Sequence, residues 1–144
     1  MGGRGAYSEG KANGKDYTYK TVDVYEGIKI LQPVNGGSFS MPAEAHPSEA
    51  YIVLDRDKGW FRQYREYNKD HLATFEIGYH EEGGLSEKGE NVFHIHEYSQ
   101  PGIDYRGKAR PMTPEEIDTY KHLFKGISQT QIDTYLDMYR RRFL

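Results

Sequence analysis

The chain has 144 residues, of which 36% are hydrophobic, carries a formal net charge of −3 and contains no cysteine. Its length excludes two large domains, the lack of cysteine excludes disulfides and thiolate metal sites, and the net charge excludes a global basic field for nucleic acid. No apolar run approaches the about 18 residues of a membrane span, whereas an aromatic content of 14% favours a folded domain with large side chains in its core.

The N-terminal segment differs in composition from the rest of the chain. Residues 1–16 contain five glycines and few apolar side chains, so burial there cannot offset the entropy lost when a chain becomes ordered. We therefore expect a flexible N-terminal arm over residues 1–16 and a single α+β domain over residues 17–144.

Strand signals fill the first part of that domain. Alternation of side chains with a period of two, or a short apolar run of residues that favour strands, indicates a strand in each case. The predicted strands cover residues 17–25, 28–34, 51–54, 60–67, 71–80 and 91–98. Residues 35–48 contain glycines and prolines with neither strand nor helix periodicity, so we expect a loop that crosses the surface.

Helix signals follow a short irregular segment. Two glycines and two prolines in residues 99–112 predict irregular backbone. The sequence TPEE at 113–116 is a capping box with proline at the first helical position, and a second capping box covers residues 128–131. The chain therefore predicts an α+β fold, an antiparallel sheet of about five or six strands with a C-terminal helix pair packed on it.

The histidines form the most suggestive chemical group. His94 and His96 are two residues apart in a predicted strand, so their side chains share one face about 7 Å apart. If strand 71–80 pairs antiparallel with strand 91–98, His80 and Glu76 lie on the same face. The loop between these strands leaves their register open.

The preferred interpretation of this group is acid–base catalysis on a phosphodiester. Two imidazoles with ordinary pKa values near 6.5 can serve as general acid and general base, here His94 and His96, with His80 as an orienting or third catalytic group. The cations that would bind the phosphate are Arg106, Lys108 and Arg110. This mechanism requires neither a metal nor another cofactor.

Two other interpretations of the histidines stay open. The His-x-His pair, His80 and a carboxylate such as Glu76 or Glu97 could bind Zn²⁺ or a similar ion. The histidines could also be half-buried structural residues that form hydrogen bonds with their neighbours.

Three motifs connect the chain to known sequences: the opening MGGRGA, the His-x-His at 94–96, and GxxRPxTxxE at 107–116. Together they resemble a group of small proteins encoded by bacteriophages and prophages of Gram-positive bacteria. The resemblance covers the chain loosely and is specific at residues 1–6 and 94–116. The chain departs from the group at Phe93, where a proline is expected before the first histidine, so a strained turn at His94 is not implied.

The resemblance implies an accessory protein of a phage or prophage, encoded near portal and head-assembly genes. Its expected location is the host cytoplasm or the virion. Related segments in larger phage head proteins and toxin-like proteins imply a nuclease by analogy. We therefore expect a phage or prophage accessory protein whose activity the sequence does not name; if it is an enzyme, we predict a ribonuclease-like hydrolase with RNA as its partner. The alternatives are a non-catalytic module that binds a phage structural protein and a His-based metal site; no membrane partner is expected.

Overall fold

A computed structural model describes residues 19–34, 41–45 and 48–144, and the backbone of two short strands before them. These two strands, β1 (Lys11–Ala12) and β2 (Lys15–Asp16), pair antiparallel with each other. Residues 1–10, 13 and 14 of the predicted flexible arm lie outside the described residues, as do 17, 18, 35–40, 46 and 47.

A seven-stranded sheet forms the centre of the fold, with its strands in sequence order. Neighbouring strands are antiparallel except for the second and third strands of the sheet, which are parallel. The predicted α+β class is confirmed, with more strands than the expected five or six. The strands are β3 (Tyr19–Tyr25), β4 (Ile28–Pro33), β5 (Ala50–Leu54), β6 (Phe61–Tyr67), β7 (Ala73–His80), β8 (Val92–Tyr98) and β9 (Arg106–Pro111).

The additional strand, β9, lies in the segment predicted to be irregular. After a 3₁₀ turn at Ile103–Tyr105, β9 pairs antiparallel with β8 at the edge of the sheet. Edge strands carry charged residues and tolerate proline, because one row of their backbone groups has no partner strand. The terminal Pro111, one of the residues that indicated irregular backbone, is therefore compatible with an edge strand, as are the cations of β9.

The parallel pair β4–β5 requires the chain to return to the same end of the sheet between the two strands. Residues 41–45 of this connection lie against the sheet: the Ala45 amide donates to the His71 carbonyl at 3.0 Å, and Met41 and Ala45 are buried. Irregular backbone was predicted here. The connection covers part of one sheet face instead of only crossing the surface.

Two C-terminal helices begin at the predicted capping boxes. Helix α1 (Pro114–Tyr120) is capped by Thr113 and continues as a 3₁₀ turn at Lys121–Leu123, and helix α2 (Gln129–Phe143) is capped by Ser128. Both boxes are complete, with the side chain at the third helical position reaching back to the cap amide. No helix among the described residues combines the length and the hydropathy of a membrane-spanning segment.

The two faces of the sheet differ in chemistry. The helices pack on one face through a core that includes Ile77, Phe93, Ile117, Phe124 and Tyr135. The opposite face is apolar over β4–β6, where the 41–45 connection lies, and becomes polar over β7 and β8. We call this second region the polar face; it carries Glu76, Gly78, His80, His94 and His96.

Candidate metal centre

Strand register brings the predicted histidines together. In the antiparallel pair β7–β8, Gly78 lies opposite His94, Glu76 opposite His96, and His80 opposite Val92. Cross-strand partners project to the same side of a sheet, so the three histidines and Glu76 share the polar face, as the predicted pairing required. The alternation of β7 and β8 places their apolar residues against the helices.

Gly78 provides the space in which two of the imidazoles meet. A Cβ at this position would lie 2.6 Å from Nε2 of His94, closer than non-bonded atoms approach, and in a tight contact of 3.0 Å with Nε2 of His80. The rings of His80 and His94 stand edge to face over the glycine, with centroids 4.6 Å apart. A side chain at position 78 would displace the two imidazoles, so their Nε2 atoms could not lie together.

Backbone hydrogen bonds fix the tautomer of both rings. Nδ1 of His80 donates to the Glu81 carbonyl and Nδ1 of His94 donates to the Val92 carbonyl, each at 2.7 Å. A carbonyl oxygen only accepts, so Nδ1 carries the proton and Nε2 of a neutral ring keeps its lone pair. Metal-binding histidines show this same pattern, because the outer hydrogen bond orients the ring.

Glu82 completes a group of three donor side chains. Its Oε1 lies 3.4 Å from Nε2 of His94, and one ligand atom from each of His80, Glu82 and His94 lies within 4.8 Å of the other two. Ligands of a tetrahedral zinc ion at about 2.0–2.1 Å are separated by about 3.4 Å. The Glu82–His94 distance therefore matches that of two ligands on one ion. The ring of His80 would have to shift slightly to bring its Nε2 to the same ion.

The electrostatic environment keeps both histidines neutral. Burial lowers the pKa of His94 to about 3, since its ring is removed from water and lies near other histidines. Burial also lowers the pKa of His80, and the positive charge of Arg62 acts in the same direction. Neutral imidazole is the form that binds a metal ion.

His96 differs from the other two because both of its ring nitrogens have partners. Nδ1 donates to the Gly107 carbonyl at 2.8 Å, and Nε2 lies 3.0 Å from Nη2 of Arg106, which donates to it. The predicted His-x-His pair is therefore on one face, but only His94 offers a free nitrogen. His96 belongs to a neighbouring network of charged residues.

Glu76 is the centre of that network and is only 1% exposed. It accepts hydrogen bonds from Gln63 (3.1 Å), Arg65 (2.9 Å), Tyr98 (2.9 Å) and Arg106 (2.7 Å). Burial opposes its ionisation, but the charges of Arg65 and Arg106 outweigh this effect and hold the pKa of Glu76 below its usual range. These four donors occupy the carboxylate, so Glu76 is not available to the His80–Glu82–His94 group.

The three predicted phosphate-binding cations do not converge on the histidines. Arg106 contacts the polar face, because its guanidinium donates hydrogen bonds to Glu76 and His96. Arg110 lies opposite Ile95 and pairs instead with Glu116 at the start of α1, at 2.8 Å, and with Glu97 at 3.3 Å. Lys108 is exposed. The structure thus brings one of the three cations to the predicted site.

Glu82 is the candidate ligand that sequence reasoning missed. The carboxylates considered were Glu76, which the arginines occupy, and Glu97, which pairs with Arg110. The available signal was the spacing His80-Glu81-Glu82 at the end of a predicted strand. A carboxylate two residues after a strand-terminal histidine can turn back toward the same face, as Glu82 does.

Comparison with protein-family models, with curated proteins and with solved structures gives no match. The resemblance to phage and prophage proteins, and the RNA and head-assembly partners it implies, stay predictions. What the site can do is therefore argued from its own chemistry: two imidazole nitrogens and one carboxylate form a donor set that suits Zn²⁺ and Fe²⁺.

Proposed function

We propose that this protein binds one divalent transition metal ion, Zn²⁺ or Fe²⁺, through Nε2 of His80, Nε2 of His94 and the carboxylate of Glu82. One observation carries the proposal. Nε2 of His94 is buried and has no hydrogen-bond partner among the described residues, although a carboxylate oxygen lies 3.4 Å away.

Two atoms that only accept do not attract each other. With Nδ1 protonated, Nε2 of neutral His94 offers a lone pair, and an ionised carboxylate oxygen offers only lone pairs. Leaving a buried polar atom without a partner costs about 1–3 kcal/mol. A cation between His94 and Glu82 removes that cost, because both atoms become its ligands.

His96 shows what a structural histidine on this face looks like. It is buried like His94, yet both of its nitrogens are bonded within the protein. If His94 were structural in the same sense, Nε2 would be expected to have a donor as well. The difference between two histidines on one strand favours a ligand role for His94.

The same geometry gives less support to acid–base cleavage of RNA. That mechanism needs two imidazoles that reach a phosphodiester and exchange protons near neutral pH. His94 is 1% exposed and His96 is 5% exposed, and the low pKa of His94 keeps it from acting as a general acid near neutral pH. Metal binding uses the neutral, inward-facing nitrogens as they are.

The proposal is tested by metal content and affinity of the purified protein. After removal of bound metal with a chelator and titration with Zn²⁺, the wild-type chain should bind one equivalent. The variants His80→Gln and Glu82→Gln should bind at least about 100-fold more weakly, since even loss of an outer-shell partner costs up to about that factor.

The matched control is His122→Gln, which removes an exposed histidine from the 3₁₀ turn after α1. It should bind zinc as the wild type does. If the wild-type protein binds no stoichiometric metal, or if the His122 variant loses as much affinity as the His80 variant, the proposed site is wrong.

A further inference from the structure

The proposed metal ion would have only three protein ligands, which raises the question of what completes its coordination. Resting on the proposed function, we infer that the centre is open and binds an exogenous anionic oxygen ligand, a carboxylate or a phosphate, directly on the metal. The inference depends on the ligand count, the exposure of the site and its charge.

The neighbouring side chains supply no fourth ligand. Within the described parts of the chain, His80, Glu82 and His94 are the only group of three histidine or acidic side chains whose donor atoms all lie within 4.8 Å of one another. His96 has partners on both nitrogens, and four donors occupy Glu76. Structural zinc sites have four protein ligands, whereas sites with three keep a position for water or substrate.

The exposure of the ligands places the open position toward solvent. His94 lies under the site and is buried, whereas the side chain of Glu82 is 25% exposed and His80 is half-buried. An ion held by these groups would have protein on its inner side and solvent on its outer side. A small ligand can therefore reach it without opening the core.

The charge of the centre favours an anion. A divalent ion with one carboxylate and two neutral imidazoles has a net charge of about +1, and a bound cation dominates the electrostatics of its site. Arg62 adds positive charge nearby: it directly precedes Gln63, the β6 residue opposite Gly78, its charge also acts on His80, and it forms no ion pair within the described parts of the chain. An anionic oxygen ligand would compensate both charges.

The carboxylate of Glu81, the residue between His80 and Glu82, does not cancel this field at the open position. Glu81 is exposed and its carboxylate accepts a hydrogen bond from the Gly89 amide at 2.8 Å, so it is turned to the loop between β7 and β8. Glu82 is already counted as a ligand. The positive charge of the ion and of Arg62 is therefore available to an incoming anion.

The test uses the intact chain loaded with Co²⁺, whose visible absorption reports its coordination. Acetate and inorganic phosphate are titrated separately into the cobalt protein. We expect a saturable spectral change with at least one of them; a response to acetate alone identifies a carboxylate site, and a response to phosphate alone identifies a phosphate site.

Variants locate the anion. In Arg62→Gln the anion should bind about two- to fivefold more weakly, the size of a partly exposed ion-pair contribution, with cobalt affinity unchanged. Lys108→Gln removes an exposed cation of β9 and is the control, with no expected change in either affinity.

The outcomes separate this inference from the proposed function. Stoichiometric cobalt binding with a spectrum that neither anion changes overturns the open centre and leaves the metal site in place. Failure to bind cobalt at all overturns both. Equal anion affinity in the wild type and the Arg62 variant overturns the assignment of Arg62 as the charge beside the open position.

Discussion

Gly78 and His94 are cross-strand partners, and Nε2 of His94 occupies the space that a side chain at position 78 would need. A glycine inside a strand lowers strand stability, so its presence there indicates a close approach by another group. Here the approaching groups are the two imidazoles whose Nε2 atoms we assign as ligands. This relationship makes Gly78 the most informative position for mutation.

Gly78→Ala should abolish zinc binding and destabilise the protein. The new methyl group would lie 2.6 Å from Nε2 of His94, so the ring must move, and overpacking of this kind costs about 1–3 kcal/mol. Zinc titration and thermal unfolding measure the two effects. Gly83→Ala is the matched control, because nothing lies within 4 Å of a Cβ at that position; zinc binding by the Gly78 variant at wild-type affinity would contradict the proposed site.

Zinc should stabilise the wild-type protein against heat but not the Glu82→Gln variant. A ligand that binds only the folded state stabilises it by mass action, by about 2.7 kcal/mol at a free concentration 100 times the Kd. The Tm measured with increasing zinc should therefore rise in the wild type and stay flat in the variant. Equal shifts in both proteins would place the bound zinc elsewhere.

The metal-free protein should lose stability as the pH falls from about 6.5 toward 3. The pKa of His94 is lowered from 6.5 to about 3 in the folded state, so the unfolded chain binds more protons between these values. Stability is then fully present above pH 6.5 and falls by up to about 1.4 kcal/mol per pH unit within this window. His80 acts in the same direction.

Urea unfolding at several pH values, with a chelator present, measures this slope. His94→Gln removes one titrating group, so its unfolding free energy should depend less steeply on pH across the same window. A variant with the slope of the wild type would show that His94 is not held neutral by the fold.

Glu76→Gln should destabilise the fold without removing the metal site. Arg65 is buried and the side chain of Arg106 is 37% exposed, and both guanidinium groups form ion pairs with the Glu76 carboxylate. Removing one partner of a buried ion pair costs about 3–5 kcal/mol. Urea unfolding should show this loss, while zinc titration at low temperature should still give one equivalent; loss of zinc from a folded variant would make Glu76 a ligand.

Local signals were enough to predict much of the architecture. The capping boxes at Thr113 and Ser128 depend on residues three positions apart, so they could be found without tertiary information. Alternation also placed His94 and His96 on one face of β8. The edge strand β9 was missed because the glycines and prolines of residues 99–112 are typical of irregular backbone, and its strand structure depends on pairing with β8.

The composition of the candidate site depended on register and turn geometry, which local patterns do not encode. His80 meets His94 because Gly78 lies opposite His94. Glu82 joins the candidate site because the chain turns back toward the polar face after β7. The pairing of Glu76 with two arginines likewise depends on register: Arg65 lies opposite Glu76 in the β6–β7 pair, and Arg106 reaches it from β9, which is aligned with β7 through β8.

The most direct measurement is an anomalous difference map from a crystal of the protein soaked with Zn²⁺. We expect one strong peak beside Gly78, about 2.0–2.1 Å from Nε2 of His80, Nε2 of His94 and a carboxylate oxygen of Glu82. A fully soaked crystal with no peak at this position, and with Nε2 of His94 donating to or accepting from another group, would contradict the assignment of these three residues as a metal site.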